Sequence, residues 1–169
     1  VEVVLLPVEL ALALEDELLD ESDEEDDELL LDELLLDELV LVARTGGPYS
    51  RTESITADEL REIPLVLREG GSGTLEVIKA ALGRAGIRIP QLNVVMRLGS
   101  TEGIKAFVRN SDAMAIVSVA SIVDELRSGE LRIIDIEGCT IRREFSFCWP
   151  EGRSDALAAR FVEFARHTA

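Results

Sequence analysis

Three places in this 169-residue chain put hydroxyls and glycines where a ligand could be met: Gly71-Ser72-Gly73-Thr74, Gly99-Ser100-Thr101 and Ser118. Each stands between an apolar run that reads as a strand and a stretch with helical spacing. A helix that opens there presents unpaired N–H groups and a partial positive charge, which suits an anion or a polar group. Glycine lets a ligand approach the backbone, and Ser or Thr adds a donor. The same residue types also serve as plain N-caps with no ligand. Capping and binding therefore both stay open for Ser72, Gly73, Thr74, Ser100, Thr101 and Ser118, the candidate ligand-contacting residues.

Catalytic patterns are missing. Gly71-Ser72-Gly73 lacks the G-x-S-x-G nucleophile elbow, and His167, the one histidine, leaves a serine without a plausible base. The glycines do not fit G-x-x-x-x-G-K-[ST], which excludes a P-loop. The carboxylates of residues 15–38 lack the spaced pattern of a calcium loop. No metal site and no cofactor are expected, and the chain is not expected to be an enzyme. Cys139 and Cys148 are too few for a disulfide-stapled secreted domain and read as reduced thiols.

Charge divides the chain. Residues 1–40 hold seventeen Asp and Glu and no Lys or Arg, whereas residues 41–169 hold seventeen of each sign and net to zero. Neither part offers the basic face that a phosphate backbone demands, so the chain itself is not expected to bind DNA. No uncharged run of eighteen apolar residues exists, and no basic stretch precedes an apolar one at the N-terminus. Neither a membrane span nor a signal peptide is expected. Glu21 to Glu28 is nearly all acid, and such blocks repel themselves and stay solvated.

The elements that must position the hydroxyls follow from periodicity. Val1 to Leu14 is strand-like and interrupted by Pro7. Leu39–Ala43, Ile63–Leu67, Leu92–Leu98, Ala113–Val117, Leu131–Ile136 and Arg143–Trp149 read as strands. Thr56 and Glu59 predict a capping box on a short helical turn. Leu75, Ile78, Leu82 and Ala85 predict a helix that Gly86 ends. Ile104, Phe107 and Val108 mark the inward face of a second helix over 102–109. Ser118 opens a third in the same manner, running through Ile122 and Leu126 to Gly129. Ser154 is expected to cap a last helix with Leu157, Phe161 and Phe164 inward. Strands alternating with helices through short loops predict an α/β unit with a largely parallel sheet, in which ligands bind beyond the carboxyl ends of the strands.

The order of these pieces resembles the effector-binding domain of LysR-type transcriptional regulators. Asp37–Ala43 resembles that family's strand crossing between lobes, and Ile63–Glu69 with Gly71–Thr74 its second-lobe strand and glycine-serine-glycine turn. Leu98–Lys105 is similar to its next helix start. Ala115–Ser118, Glu125-Leu126 and Gly129–Leu131 resemble the strand, helix and exit strand that follow. The match runs from about Asp37 to Phe164. It implies a two-lobed, periplasmic-binding-protein-like (type 2) α/β fold with a mostly parallel sheet in the second lobe. It also implies a small polar or anionic effector in the interlobe cleft, and a bacterial, cytoplasmic dimer that is tetrameric in the full regulator. DNA would be bound only through an N-terminal helix-turn-helix that this chain lacks. Within that frame residues 1–36 are an atypical acidic remnant of the first lobe, 37–46 the crossover strand, 47–142 the second lobe, and 143–169 the return strand and last helix. Asp112-Ala113-Met114-Ala115 departs from the Gly-x-Gly that family members often carry. A free-standing solute-binding protein of the same fold would need an export signal and a fuller first lobe. An enzyme on that fold, such as a prephenate dehydratase, would need a catalytic threonine motif not found here.

Overall fold

The computed structural model describes the backbone of residues 4–7, 29–150, 160, 161, 163 and 164, and the side chains of 36–145 and those last four. The chain divides into two compact units, Val1–Asp37 with Arg143–Ala169, and Glu38–Arg142.

In the first unit, β1 (Val4–Pro7) lies antiparallel to β8 (Ile141–Pro150), with Val4 opposite Cys148 and Pro7 opposite Phe145. The Arg143 guanidinium donates to Asp37 Oδ2 from Nε at 2.8 Å and from Nη2 at 2.7 Å, and sits 4.4 Å over the Phe145 ring. Phe161 and Phe164, expected inward on the last helix, are 53% and 66% exposed. Ser154 and Leu157 lie outside the described residues, as does the acidic block 21–28. Residues 29–36, the end of that acidic segment, fall within strand β2 (Leu29–Arg44).

The second unit is the α/β sheet. Its strands are the end of β2, β3 (Ser54–Ile55), β4 (Leu65–Arg68), β5 (Val94–Leu98), β6 (Met114–Ser118) and β7 (Leu131–Ile136). β4 runs parallel to both β5 and β6, and β3 runs parallel to β7, whereas β2 is antiparallel to β6 and β7. The helices are α1 (Ala57–Glu62), α2 (Gly73–Arg84), α3 (Thr101–Arg109) and α4 (Val123–Ser128).

The apolar runs of β4 and β6 are buried along their length because both sheet faces are covered there, whereas β5 is largely exposed. Successive side chains alternate between two cores. Leu41, Leu65, Met114 and Ile116 pack with Ile78 and Leu82 of α2 on one face. Val42, Val66, Ala115 and Val117 pack with Ile104 and Val108 of α3 on the other. Each fully buried Leu or Ile contributes about 1.5–3 kcal/mol relative to exposure. The capping box starts α1 as expected: Glu59 N donates to Thr56 Oγ1, and Thr56 N donates to Glu59 Oε2. That second bond is the main reason the Glu59 carboxyl is held below its usual range. Gly86 and Gly129 follow α2 and α4 in the left-handed region, at φ 76° and 71°, where any Cβ would be strained.

Candidate functional site

β6, β4 and β5 are adjacent and parallel, so their carboxyl ends share one edge of the sheet. Neighbouring strands lie about 4.8 Å apart. That spacing brings Ser118, the turn from Glu69 to Thr74 and the turn from Gly99 to Thr101 side by side along that edge. The three are not equivalent.

Ser72 is the N-cap of α2, with Gly71 before it at φ +83°. A residue with a Cβ would be strained at Gly71, so glycine sets the path into the helix. Ser72 is only 8% exposed, yet its hydroxyl makes no capping hydrogen bond. Gly73 and Thr74 form the first turn of α2, and Thr74 has an interaction of its own.

Ser100 is exposed and caps α3 outright: Gly103 N donates to its Oγ at 3.1 Å. A Cβ at Gly103 would stand 3.0 Å from that Oγ, so glycine leaves room for the cap. Thr101 is the first residue of α3 and is half-buried. At this turn the capping alternative is realised by Ser100 itself.

Ser118 ends β6 and leads into a 3-10 turn, Val119–Ser121, without a side-chain cap. The α-helix there begins only at Val123, so Ser118 does not open a helix in the manner of the other two. Apolar spacing through Ile122 and Leu126 could not show that the first turn closes as a tighter 3-10 turn. Ser121 Oγ donates to the Ser118 carbonyl at 2.7 Å.

Two charged groups that the sequence reading passed over shape this edge. Arg68 Nη2 donates to Glu69 Oε1 at 2.9 Å and to the Gly99 carbonyl at 3.2 Å, joining the first two turns. Glu69 N adds a bond to the Leu98 carbonyl at 3.3 Å. Chiefly because of Arg68, the Glu69 carboxyl is held below its usual range and is ionised at neutral pH. Lys105, 8% exposed on α3, pairs with Glu102 at 2.7 Å and Glu125 at 2.9 Å and donates to the Ser121 carbonyl at 2.9 Å. The two glutamates, Glu102 first, raise the Lys105 pKa, and Lys105 lowers that of Glu125. A lysine on the helix in the sequence TEGIKAFVR gives no local sign of being inside. Its acid partner Glu125 lies on another helix.

Two concavities of this unit lie away from the edge. One of about 420 Å³ is bounded by Glu38, Ile136 and Thr140, and one of about 500 Å³ by Ile89, Val94 and Met96; no turn residue lines either. The chemistry of the turns outweighs volume here, because neither concavity brings helix N-termini or free hydroxyl donors together. Cys139 is half-buried beside the Ala81 carbonyl, and burial pushes its thiol pKa up, which keeps it protonated. Among the described residues no group of three His, Cys, Asp or Glu could hold a metal ion. No described helix is long and apolar enough to cross a membrane.

A family model described as the LysR substrate binding domain matches residues 8–169. The RuBisCO operon transcriptional regulator of Acidithiobacillus ferrooxidans is 33% identical over 126 residues, covering 74% of this chain and 40% of that protein. A protein of Anaeromyxobacter dehalogenans named as a phosphonates import ATP-binding protein is 34% identical over 115 residues, 68% of this chain and 23% of its own length. The chain thus spans well under half the length of these relatives. The regulatory domain of CcmR from Synechocystis PCC6803, solved in complex with 2-PG, superposes with a TM-score of 0.71 at 24% identity, over 87% of this chain and 70% of that one.

Proposed function

The chain belongs to the LysR substrate-binding domain family, and from that premise we propose that it senses a small polar or anionic effector for a transcription regulator. The effector would be met at the carboxyl edge of β6, β4 and β5. One observation supports this most: α2 begins with a buried serine whose hydroxyl makes no capping bond. A helix start without a side-chain cap leaves its first N–H groups open, and an anionic group of a ligand there would accept from them. The binding of 2-PG by the similar CcmR domain agrees with a small anion. A thermal-shift screen of small anions and metabolites tests the reading. Ligands that raise the melting temperature should perturb Ser72 and Gly73; hits that act only elsewhere would sink it.

The relatives' names point to regulation rather than catalysis, and the match to the ATP-binding protein spans under a quarter of that protein. In this reading the chain acts in the cytoplasm and pairs as a homodimer, or as a tetramer in a full regulator. DNA is reached only through a helix-turn-helix domain outside this chain. The balanced charge of residues 41–169 agrees with that division of labour. Light scattering that returns a monomer at high concentration would count against the pairing, and micromolar duplex binding at physiological salt against the division.

A further inference from the structure

Glu69 stands where the two turns meet, and its two oxygens differ. Oε1 accepts from Arg68 Nη2 at 2.9 Å, whereas Oε2 meets Arg68 Nε at a longer 3.4 Å. Oε2 faces Gly99, where a Cβ would stand 3.4 Å away and where glycine supplies none. The Glu69 side chain is 43% exposed. An ionised carboxylate oxygen with spare lone pairs is thus left open at the edge, in the same tight turn as the buried, uncapped Ser72. A bare inorganic anion fits this pair badly, because it would meet the α2 start while being repelled by Glu69.

Resting on the effector-site reading above, we infer that Glu69 sets ligand class: the edge selects a small hydroxy acid or amino acid over a simple anion. The ligand's carboxylate accepts from the Ser72 hydroxyl and the first-turn N–H groups of α2. Its hydroxyl or ammonium donates to Glu69 Oε2. Glu69 is therefore a specificity-determining residue, with Arg68 fixing its orientation and Gly99 keeping Oε2 uncovered.

The test uses amide NMR titrations of the whole chain with glycolate, acetate and inorganic phosphate, following Ser72, Gly73 and Thr101. Glycolate and acetate differ by the hydroxyl that Glu69 is argued to read. Glycolate should bind the native chain about tenfold more tightly than acetate, the scale of one hydrogen bond to a charged group. In Glu69→Ala the two should come within about twofold, while phosphate tightens as a repelling charge is lost. Gly99→Ala keeps the charge and covers Oε2, so it should shrink the glycolate preference without tightening phosphate; it also serves if Glu69→Ala fails to fold. Equal binding of glycolate and acetate by the native chain, with the Ser72 and Gly73 amides moving, overturns the role of Glu69 and leaves the site. A glycolate preference that survives in both variants overturns it as well. If those amides move with none of the three anions, the site itself is absent and both readings fall.

Discussion

The turns that open α2 and α3 look alike in sequence, Gly-Ser-Gly-Thr and Gly-Ser-Thr, yet the fold treats them differently. At α3 the hydroxyl of Ser100 is exposed and closes its own helix through Gly103 N. Behind it Lys105 ties the helix to Glu125 and to the turn after β6. At α2 Ser72 is a buried residue whose hydroxyl caps nothing, and beside it Glu69 Oε2 meets only the longer of the two Arg68 bonds. One helix start is capped by its own serine and the other is not. Sequence motifs for helix starts and for ligand contacts overlap because both need the same donors and acceptors. What separates them is whether the side chain is already used.

The contrast can be broken at several points. The largest effect is expected at Lys105. Lys105→Met strands the buried Glu125 carboxylate, whose Oε2 already lacks a partner, and should cost about 3 kcal/mol or more in urea unfolding. A stability near the parent's would show that α3 is not held by this network. Next comes Ser72→Ala, which should weaken an effector found by the screen about tenfold or more, roughly 1.5 kcal/mol by calorimetry, with little change in melting. Should Ser72→Ala instead melt lower and bind as before, Ser72 is a structural residue after all. Thr101→Val keeps the threonine shape without its hydroxyl; weakened binding with unchanged melting would extend the site to the second turn.

Ser100→Ala inverts that pattern. Losing the cap should cost about 1 kcal/mol of stability and leave effector affinity within about twofold. Affinity falling further than stability would make the two turns equivalent and undo the comparison. The smallest effect is on pH. Glu125 has a lowered pKa in the folded chain, so its stabilising share is present above the unfolded value of about 4.3 and lost as pH falls through the folded one. Lys105 has a raised pKa, so its share is present below about 10.4 and lost as pH rises beyond the folded value. Between about pH 6 and 9 both shares are fully present, so denaturation midpoints should show no pH dependence from this pair. Below that range the acid decline should be shallower in Glu125→Gln than in the parent.

Much of the second unit was legible in the chain itself. Runs such as IPLVL and AMAIV announced strands covered on both faces. The Thr56–Glu59 pair announced its capping box, and Gly86 and Gly129 the ends of their helices. The sequence misread what depends on partners far along the chain. Phe161 and Phe164 have helical spacing but are exposed. Ser118 has the company of a helix start but leads into a 3-10 turn. Lys105 carries a charge that normally marks a surface, yet it is buried because acids at 102 and 125 meet it.

By itself the sequence determined which segments of the second unit are strands and helices and that hydroxyls and glycines stand between them. Those features are local: side-chain periodicity, capping chemistry and residue types are properties of a few neighbouring residues. Only the tertiary structure decided which serine caps its helix and which does not. That depended on β6, β4 and β5 lying side by side, on Arg68 reaching across to Gly99, and on how deeply Ser72 sank. Burial and hydrogen-bond partnership come from residues distant in the chain, and those are distances that spacing along a sequence does not contain.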